Sequence, residues 1–438
     1  MKVFVGIDLG STTSKALVLD ERGEILGRGI TNSRSNYDVA VDVARTDAFT
    51  ETRFNLLGES LEGARLGEVS GEEFRQRLKY FFQLELFNRQ LKTLEEELFR
   101  HLDHSRYDQE RVTLRGHLET IVSSMFESGP RHFESQGRAS HFFRDLASSD
   151  YMEIAEETGS SFEALAGLFD KAILLVENTG QDLSFEGNIR PAIANSLNEF
   201  SARLGDADTQ LEKKLETAVG LPIEVAGNVG TGYGRARLPF DEKDIRNEIL
   251  CHGLGAHAMF PETATVLDIG GQDTKAIQVD EDGIVASFQM NDRCAAGCGR
   301  YLGYIADEMN LGLHELGPMA CESKCAVKIN STCTVFAGAE LRDRLTIGQK
   351  REDILAGLHR AIVLRAMSLL ARSGGVRNQF TFTGGVANNI AAVKALTDAI
   401  YENYGEIDVN ISPDSIYTGA LGAALYSLRD AQQGGGQR

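Results

Sequence analysis

The sequence predicts an α/β protein built from two related domains around a nucleotide cleft, with a mainly helical region inserted into the first domain. Three observations support this fold class: an apolar strand pattern that starts at Val3, a second copy of it 260 residues later, and a charge-rich helical stretch between the two. A chain of 438 residues is also too long for one compact core. We expect the first domain at residues 1–34 and 205–262, the insertion at 35–204, and the second domain at 263–438.

Composition limits the possible functions. The net charge of −19 argues against a nucleic-acid partner and against an anionic membrane surface. No apolar run approaches the roughly 20 residues of a membrane span, and the chain starts with a strand pattern in place of a signal peptide. We therefore expect a cytoplasmic protein. Since thiols stay reduced in the cytoplasm, its cysteines are expected to bind metal or to carry out redox chemistry.

The first strand–loop–strand pattern has the chemistry of a phosphate-binding hairpin. The apolar run from Val3 to Asp8 leads into a Gly-Ser-Thr-Thr turn, which offers backbone N–H groups and hydroxyls to a phosphate. A shift of 260 residues places this hairpin, without a gap, on the one that contains Asp268 and Gly270. Two such hairpins predict a nucleotide held between two domains, with both aspartates beside Mg²⁺. The alternative is a chance match of two surface hairpins.

The insertion has a helical pattern. Between Ser70 and His104, aromatic and aliphatic residues recur at three- and four-residue spacing among charged residues. A docking surface for a partner and a purely structural subdomain both agree with this pattern. Five histidines of the insertion lack regular i,i+4 pairing, so we expect solvated side chains and no metal site. They are His101, His104, His117, His132 and His141.

Five of the six cysteines lie between Asn291 and Glu340. They are Cys294, Cys298, Cys321, Cys325 and Cys333. Spacing alone favours one intrachain metal site made by two C-x3-C pairs. Sequence context favours a different pair, because Cys294 and Cys333 each precede a helix pattern, and the positive end of a helix stabilises an anionic iron–sulfur cluster. Two thiolates are half of the ligands of such a cluster, so the other half would come from a second subunit.

The segment FTGGVANN, from Phe382 to Asn389, places a glycine turn between a strand and a helix that is predicted over Val386 to Ala399. Together with the two hairpins, it resembles the adenosine motif of the actin, Hsp70 and sugar-kinase ATPase superfamily; a plain strand-to-helix turn is the alternative. The resemblance implies ATP binding, with glycines that let the backbone lie against the adenosine. The implied adenosine residues are Gly384, Gly385 and Asn388. The implied phosphate residues are Gly10, Ser11, Thr12, Thr13, Lys15, Gly270, Gly271 and Gln272, with Lys275 as a further possibility and Asp8 and Asp268 as the catalytic pair.

Outside the insertion, the chain is similar to the ATPase activators of 2-hydroxyacyl-CoA dehydratases and to the ATPase subunits of benzoyl-CoA reductase. The matching segments are GIDLGSTTSK, TGYGR, DIGGQDTK, FQMNDRCAAG, STCTVFA, FTGGVANN and GALGAALY. In that family two homologous subunits share one [4Fe–4S] cluster, which implies Cys294 and Cys333 as its ligands here. Two departures are Cys298 in place of a threonine and Gly338 in place of a glutamate. No role follows for Cys298, Cys321 or Cys325.

The insertion favours the larger ATPase subunit of ATP-dependent benzoyl-CoA reductase, an oxidoreductase of anaerobic aromatic degradation. The resemblance then implies a heterotetramer of this chain, a smaller homologous ATPase subunit and two catalytic acyl-CoA-binding subunits. Reduced ferredoxin would donate electrons, and ATP hydrolysis would close the cleft and drive electron transfer through the cluster at low potential. The alternatives are a dehydratase activator, a small-molecule kinase of the same superfamily, and a nucleotide-dependent binding or chaperone module.

Overall fold

The computed structural model describes residues 1–33, 36–61, 66–134, 142–178, 184–205, 208–292, 299–325, 327–329 and 334–434. The chain forms two compact units. We call residues 1–33 with 224–438 the two-sheet unit, and residues 34–223 the helical unit. The sequence-based boundaries, which divide the two-sheet unit further, stay a prediction.

Nine strands of the two-sheet unit fall within the described residues. They are β1 (Lys2–Leu9), β2 (Thr13–Leu19), β3 (Ile25–Asn32), β4 (Glu224–Thr231), β5 (Thr265–Ile269), β6 (Thr274–Val279), β7 (Val285–Asn291), β8 (Phe380–Thr383) and β9 (Val409–Asn410). The first sheet has the order β3-β2-β1-β4, and the second has the order β7-β6-β5-β8-β9. Each sheet begins with an antiparallel three-stranded meander and continues with a parallel strand, β4 or β8.

The two sheets repeat one hairpin in the same register. Asp8 pairs across the strands with Lys15, and Asp268 pairs in the same way with Lys275. Strands β1, β5 and β6 consist almost entirely of buried residues, as is typical of strands covered on both faces. Both sheets thus contain the strand pattern that the sequence shows twice, and the predicted α/β fold class with its internal duplication is confirmed.

The described part of the helical unit contains eight α-helices. They are α1 (Tyr37–Leu61), α2 (Gly71–Leu102), α3 (Arg111–Ser128), α4 (Arg131–Glu134), α5 (Phe143–Glu156), α6 (Phe162–Asn178), α7 (Phe185–Leu204) and α8 (Asp208–Val219). Helix α2 matches the predicted helical stretch, and Ser70 caps it by accepting a hydrogen bond from the Glu73 N–H. Its first half packs in a core with α1, α7 and α8, and its second half in another core with α3, α5 and α6.

One histidine of the helical unit is not solvated. His132 is buried, its Nε2 lies 2.6 Å from Asp150 Oδ2, and its ring packs on Phe87. The expectation of a solvated side chain was wrong for this residue, because the four-residue helix α4 is too short to show a periodicity that reveals burial. His141 lies outside the described residues.

Seven α-helices lie in the described part of the two-sheet unit. They are α9 (Glu248–Met259), α10 (Gly299–Met309), α11 (Leu316–Cys321), α12 (Thr334–Thr346), α13 (Arg351–Ser373), α14 (Ile390–Tyr404) and α15 (Thr418–Gly434). Among the described helices, α13 alone has the length and apolar composition of a membrane span. It packs against α11, α14 and β6, and its buried residues belong to the apolar core beside the second sheet.

Helices α9 and α15 cross at very short range. Helix α15 packs on strands of the first sheet, whereas α9 packs on strands of the second. A Cβ atom on Gly422 would lie 1.9 Å from the Cys251 carbonyl oxygen, and one on Gly255 would lie 2.0 Å from the Thr418 carbonyl oxygen. Glycine is therefore needed at both positions. The crossing brings side chains of α9 to the ends of strands from both sheets.

Candidate functional site

The two loops that were predicted to bind phosphate lie against each other. A Cβ atom on Gly271 would lie 1.7 Å from Thr12 Oγ1 and 3.3 Å from Ser11 Oγ, so only glycine allows this contact. A Cβ atom on Gly10 would lie 2.6 Å from the Thr13 carbonyl oxygen. The hydroxyls of the first loop thus face the backbone of the second. This arrangement suits a phosphate group held from two sides, and phosphate binding by these residues stays a prediction.

Asp268 lies in a buried charged cluster at the end of β5. Lys275 Nζ is 3.2 Å from Asp268 Oδ2, 2.7 Å from Asp273 Oδ1 and 2.9 Å from Glu248 Oε1. Thr383 Oγ1 donates a 2.9 Å hydrogen bond to Asp268 Oδ1. Strands β5, β6 and β8 and helix α9 therefore each contribute a side chain. Because its ammonium group is shared by three carboxylates, Lys275 carries little charge that a phosphate could use.

Burial and charge act in opposite directions on this cluster. Burial alone would raise the pKa of Asp268, but the charges of His252 and Lys275 outweigh it and hold the pKa well below its usual range. Burial alone would lower the pKa of Lys275, but Asp268, Glu248 and Asp273 hold that pKa well above its usual range. Asp268 is therefore an anion, and Lys275 a cation, throughout the neutral pH range. Burial raises the pKa of Glu248 despite the opposing charge of Lys275.

Sequence reasoning missed Asp273 and Thr383 of the cluster, and it also missed two residues of α9, Glu248 and His252. His252 Nδ1 lies 3.4 Å from Asp268 Oδ1, and its Nε2 lies 3.9 Å from Glu248 Oε1. Both residues belong to α9 at i,i+4 spacing, which places them on one helix face. That spacing was the available signal, but it does not reveal that the face meets β5. Cys251 belongs to a separate small core, where it is buried beside Val229.

Asp8 has simpler surroundings at the end of β1. Lys15 Nζ lies 3.3 Å from Asp8 Oδ2, and the TGYGR segment packs directly on this strand end. A Cβ atom on Gly232 would lie 2.4 Å from Asp8 Oδ1, and the φ angle of +100° at this position also favours glycine. A Cβ atom on Gly419 would lie 3.1 Å from Asp8 Oδ2 and 2.9 Å from His252 Nε2. Asp8 and the Asp268 cluster therefore share one site.

The adenosine motif lies next to the same cluster. Gly384 ends β8 with a φ angle of +86°, and a Cβ atom there would lie 3.0 Å from Asp268 Oδ1. Gly385 and Asn388 belong to a short 3-10 turn and are exposed. The following helix was predicted to begin at Val386, but α14 begins at Ile390, because Asn389 caps it by accepting hydrogen bonds from two backbone N–H groups.

The predicted cluster ligands Cys294 and Cys333 lie outside the described residues, as does Cys298. The two helices that follow them were predicted and are present: α10 begins at Gly299, and α12 begins at Thr334. Of the described thiols in this region, Cys321 is half-buried and Cys325 is exposed. Over the described residues, no group of three or more His, Cys, Asp or Glu side chains has the geometry to hold a metal ion.

Helix α10 is bonded to the second phosphate loop. The Gly299 N–H donates a 2.9 Å hydrogen bond to the Gly270 carbonyl oxygen, and the Arg300 N–H donates a 2.8 Å hydrogen bond to the Gly271 carbonyl oxygen. These are among the N–H groups at a helix start that have no partner within the helix. The loop and the helix after Cys294 are therefore joined by two main-chain hydrogen bonds.

Comparison with known families agrees with this geometry. The model of the BadF/BadG/BcrA/BcrD ATPase family matches residues 5–427, which is nearly the whole chain. The chain belongs to this ATPase family. The two hairpins, the aspartates and the adenosine motif meet at one place in this ATPase, and ATP binding at that place stays a prediction.

Several curated proteins resemble this ATPase. The (R)-2-hydroxyglutaryl-CoA dehydratase activating ATPase of Acidaminococcus fermentans is 38% identical over 239 residues, which cover 55% of this chain and 89% of that protein. A 2-hydroxyisocaproyl-CoA dehydratase activator of Clostridioides difficile is 42% identical over 222 residues, which cover 50% of this chain and 81% of that protein. One of the subunits of the benzoyl-CoA reductase of Thauera aromatica is 33% identical over 175 residues, which cover 40% of this chain and 62% of that protein.

These relatives change the balance between the two predicted functions. The dehydratase activators are more similar to the ATPase, and over a longer stretch, than the reductase subunit is. They support the activator, which was the alternative in the sequence-based prediction, better than the benzoyl-CoA reductase subunit that the insertion favoured. Insertion length was a weak guide, because an added unit changes no residue of the cleft.

Solved structures agree with the fold. Component A of the A. fermentans (R)-2-hydroxyglutaryl-CoA dehydratase superimposes with a TM-score of 0.52 at 23% identity, covering 99% of this chain and all of that one. An activator of the 2-hydroxyisocaproyl-CoA dehydratase of Clostridium difficile with bound ADPNP gives a TM-score of 0.53 at 22% identity, covering 100% and 98%. At such identities the likeness shows the fold alone, which is the predicted actin, Hsp70 and sugar-kinase type.

Proposed function

We propose that this ATPase is an ATP-driven electron-transfer activator, which passes low-potential electrons from ferredoxin to a 2-hydroxyacyl-CoA dehydratase in the cytoplasm. The dehydratase activators among its relatives support this choice of partner. In the proposal, a second homologous ATPase subunit supplies the other half of a shared [4Fe–4S] cluster. ATP binding and hydrolysis in the cleft would control when the electron leaves.

The observation that best supports such coupling is the bond between the second phosphate loop and helix α10. The carbonyl oxygens of Gly270 and Gly271 accept hydrogen bonds from the first two residues of the helix. Cys294 precedes that helix in the chain by five residues. A loop that shifts when it grips phosphate therefore carries the helix start with it, next to a predicted cluster ligand. A nucleotide biases such a device by binding its two states with different affinity.

The cleft fits a nucleoside triphosphate with Mg²⁺. Loops 10–13 and 270–272 meet where the Ser11 and Thr12 hydroxyls face the Gly271 backbone, and they offer N–H and hydroxyl donors. Four carboxylates and two lysines surround them, an excess of negative charge that a divalent cation offsets. In this proposal Asp8 and Asp268 position Mg²⁺ and the attacking water, Lys15 contacts phosphate, and Lys275 orients Asp268. When bound, the nucleotide supplies the free energy of its hydrolysis.

Cys294 and Cys333 would hold half of the [4Fe–4S] cluster. Their chemistry fits, since thiolates are the usual ligands of such clusters. Each precedes a described helix, α10 or α12, whose N-terminal N–H groups favour negative charge nearby. When bound, the cluster supplies one-electron transfer.

A second candidate function keeps this chemistry and changes the partners. The chain would be the larger ATPase subunit of benzoyl-CoA reductase, joined to a smaller homologous ATPase subunit and two catalytic acyl-CoA-binding subunits. The observation in its favour is the helical unit, residues 34–223, since the matched activators align with only about half of this chain.

The first experiment is an anaerobic purification after co-expression with the homologous ATPase subunit, followed by iron and sulfide analysis and a visible spectrum. We expect one [4Fe–4S] cluster per subunit pair in the wild type, and its loss in Cys294→Ala and in Cys333→Ala. The matched control is Cys251→Ala, a buried thiol in a separate core, which should keep its iron. Iron-free wild-type protein that still hydrolyses ATP would contradict electron transfer and favour a kinase.

A second assay separates the two candidate partners. The reduced protein is mixed with ATP and either a 2-hydroxyacyl-CoA dehydratase or the catalytic subunits of benzoyl-CoA reductase. Dehydration of a 2-hydroxyacyl-CoA supports the activator, and reduction of benzoyl-CoA supports the reductase subunit.

A further inference from the structure

We infer that His252 is a positioning residue for ATP hydrolysis, which holds Asp268 on the side of the site that faces Asp8, and that Gly419 leaves the space this histidine needs. The inference rests on the ATPase step of the proposed function and is independent of the iron–sulfur cluster. Neither residue belongs to the loops that were predicted to bind the nucleotide.

His252 contacts Asp268 of the second sheet and lies near Asp8 of the first sheet, with the space at Gly419 beside both. Its Nδ1 lies 3.4 Å from Asp268 Oδ1 at the end of β5. Its Nε2 and Asp8 Oδ2, at the end of β1, both lie within 3.1 Å of the point that a Cβ atom on Gly419 would occupy. An imidazole has ring nitrogens on two edges, so one ring can contact two carboxylates that lie in different directions, and here these are Asp268 and Glu248. His252 is 6% exposed, and its position is therefore set by packing.

The glycine at position 419 is explained by this arrangement. It lies at the start of α15, where alanine would be the better helix former. A Cβ atom there would be 2.9 Å from His252 Nε2 and 3.1 Å from the Asp8 carboxyl carbon, closer than side chains tolerate without moving. The two crossing helices thus contribute unequally: α9 supplies the imidazole, and α15 supplies the space for it.

Glu248 holds the other side of the ring. It lies one helical turn before His252 and contacts both His252 and Lys275. Lys275 in turn contacts Asp268. A positioning residue that is itself held by its neighbours can keep a reacting group within a fraction of an ångström of its working position. Among the described residues, no hydrogen bond or ion pair joins His252 to loops 10–13 or 270–272, so its removal should slow hydrolysis more than it weakens nucleotide binding.

The first test separates turnover from binding. ATP hydrolysis by the purified protein is measured together with the affinity for a non-hydrolysable ATP analogue. We expect His252→Leu to lower kcat about 30-fold or more, with KM and the analogue Kd within about 3-fold of wild type. His252→Asn, which keeps one polar hydrogen-bonding edge, should recover part of kcat. The matched control is His257→Gln on the same helix, whose ring packs against Gly283, away from the cleft.

Wild-type kcat in His252→Leu would overturn the inference, and so would a change in KM and analogue Kd alone. An equal loss of kcat in His257→Gln would also overturn it, because the effect would then belong to the helix and not to the residue. Thermal unfolding of each variant shows whether it is folded at the assay temperature.

The second test fills the space that Gly419 leaves for His252, and it does not depend on a stable His252→Leu protein. Gly419→Ala should lower kcat about tenfold in the wild type, because the new Cβ would lie 2.9 Å from His252 Nε2 and displace the ring. In a His252→Ala background the same change should lower kcat no further, since the space is already empty. Equal effects in both backgrounds, or no effect in either, would overturn the inference. Absence of iron from the wild-type protein would contradict electron transfer and leave these ATPase results unaffected.

Discussion

The two copies of the hairpin have the same backbone register and different surroundings. In the first copy, Asp8 contacts Lys15, whose side chain is 12% exposed. In the second copy, Lys275 is 2% exposed and contacts three carboxylates, and Asp268 also accepts a hydrogen bond from Thr383. One copy carries a partly hydrated ion pair, and the other carries a buried network.

The difference arises outside the repeat. Helix α9 places Glu248 and His252 beside the second hairpin, whereas α15 places Gly419 beside the first. A duplicated motif can thus keep its backbone while the helices that pack on it give its copies different roles. In the proposed mechanism, Asp268 is the fixed member of the pair, and Asp8 has fewer charged neighbours among the described residues.

The largest expected difference between the copies is in the stability cost of losing the lysine. Lys275→Met leaves three carboxylates in a buried site without their cation, and we expect it to lower the free energy of unfolding by about 3–5 kcal/mol. Lys15→Met breaks one partly exposed pair and should cost about 1 kcal/mol. Urea unfolding of both variants measures the difference, and equal losses would show that the copies bury charge equally.

The second-largest expected effect on stability is its loss in acid, which involves Asp268. The folded protein lowers the pKa of this carboxyl, so its ionised form stabilises the fold above its usual pKa of about 4, and this contribution is lost as the pH falls further. In urea unfolding of nucleotide-free protein between pH 6 and pH 3, Asp268→Asn should remove about 1 kcal/mol of the acid-dependent loss. In Asp8→Asn, the free energy of unfolding should still fall with pH by the amount that Asp268 contributes. If the free energy of unfolding of Asp268→Asn falls with pH as steeply as that of the wild type, the acid-dependent loss does not come from Asp268.

The loops should differ in how a clash can be relieved. Gly271→Ala meets the Thr12 hydroxyl, whereas Gly10→Ala meets the backbone oxygen of Thr13. Each should weaken binding of a non-hydrolysable ATP analogue about tenfold, which is about 1.4 kcal/mol. In a Thr12→Ala background, Gly271→Ala should reduce the affinity for the analogue much less, whereas Gly10→Ala should reduce it by the same factor as before. Titration calorimetry measures the analogue affinity in both double-mutant cycles. A tenfold loss of affinity on Gly271→Ala in the Thr12→Ala background would show that the loops are apart in solution.

The smallest effect concerns two thiols and leaves stability unchanged. Burial raises the pKa of Cys251, next to His252 on α9, to about 12, so little thiolate is present at neutral pH. Cys325 is exposed. In native protein treated with iodoacetamide at pH 8, mass spectrometry should find Cys325 labelled first and Cys251 labelled only after unfolding. Early labelling of Cys251 would show that α9 opens away from α15.

Much of the fold could be predicted, because the decisive patterns are local. Strand alternation, the 260-residue repeat and the periodicity of α2 all lie in continuous stretches. His252 could not be assigned in this way, since its partner Asp268 lies on β5 and its neighbour Asp8 on β1, and only the crossing of α9 and α15 brings them together. The start of α14 was placed too early, because capping by Asn389 decides it and glycine content does not.

The bond between the second phosphate loop and α10 has a consequence for divergence. It uses only main-chain atoms, so any side chain at positions 299 and 300 leaves both donors in place, and only proline removes one. A link of this kind is inherited with the backbone path and leaves no trace in residue identity. Proteins that have drifted far apart in sequence can therefore share it, and alignments of residues alone will not detect it.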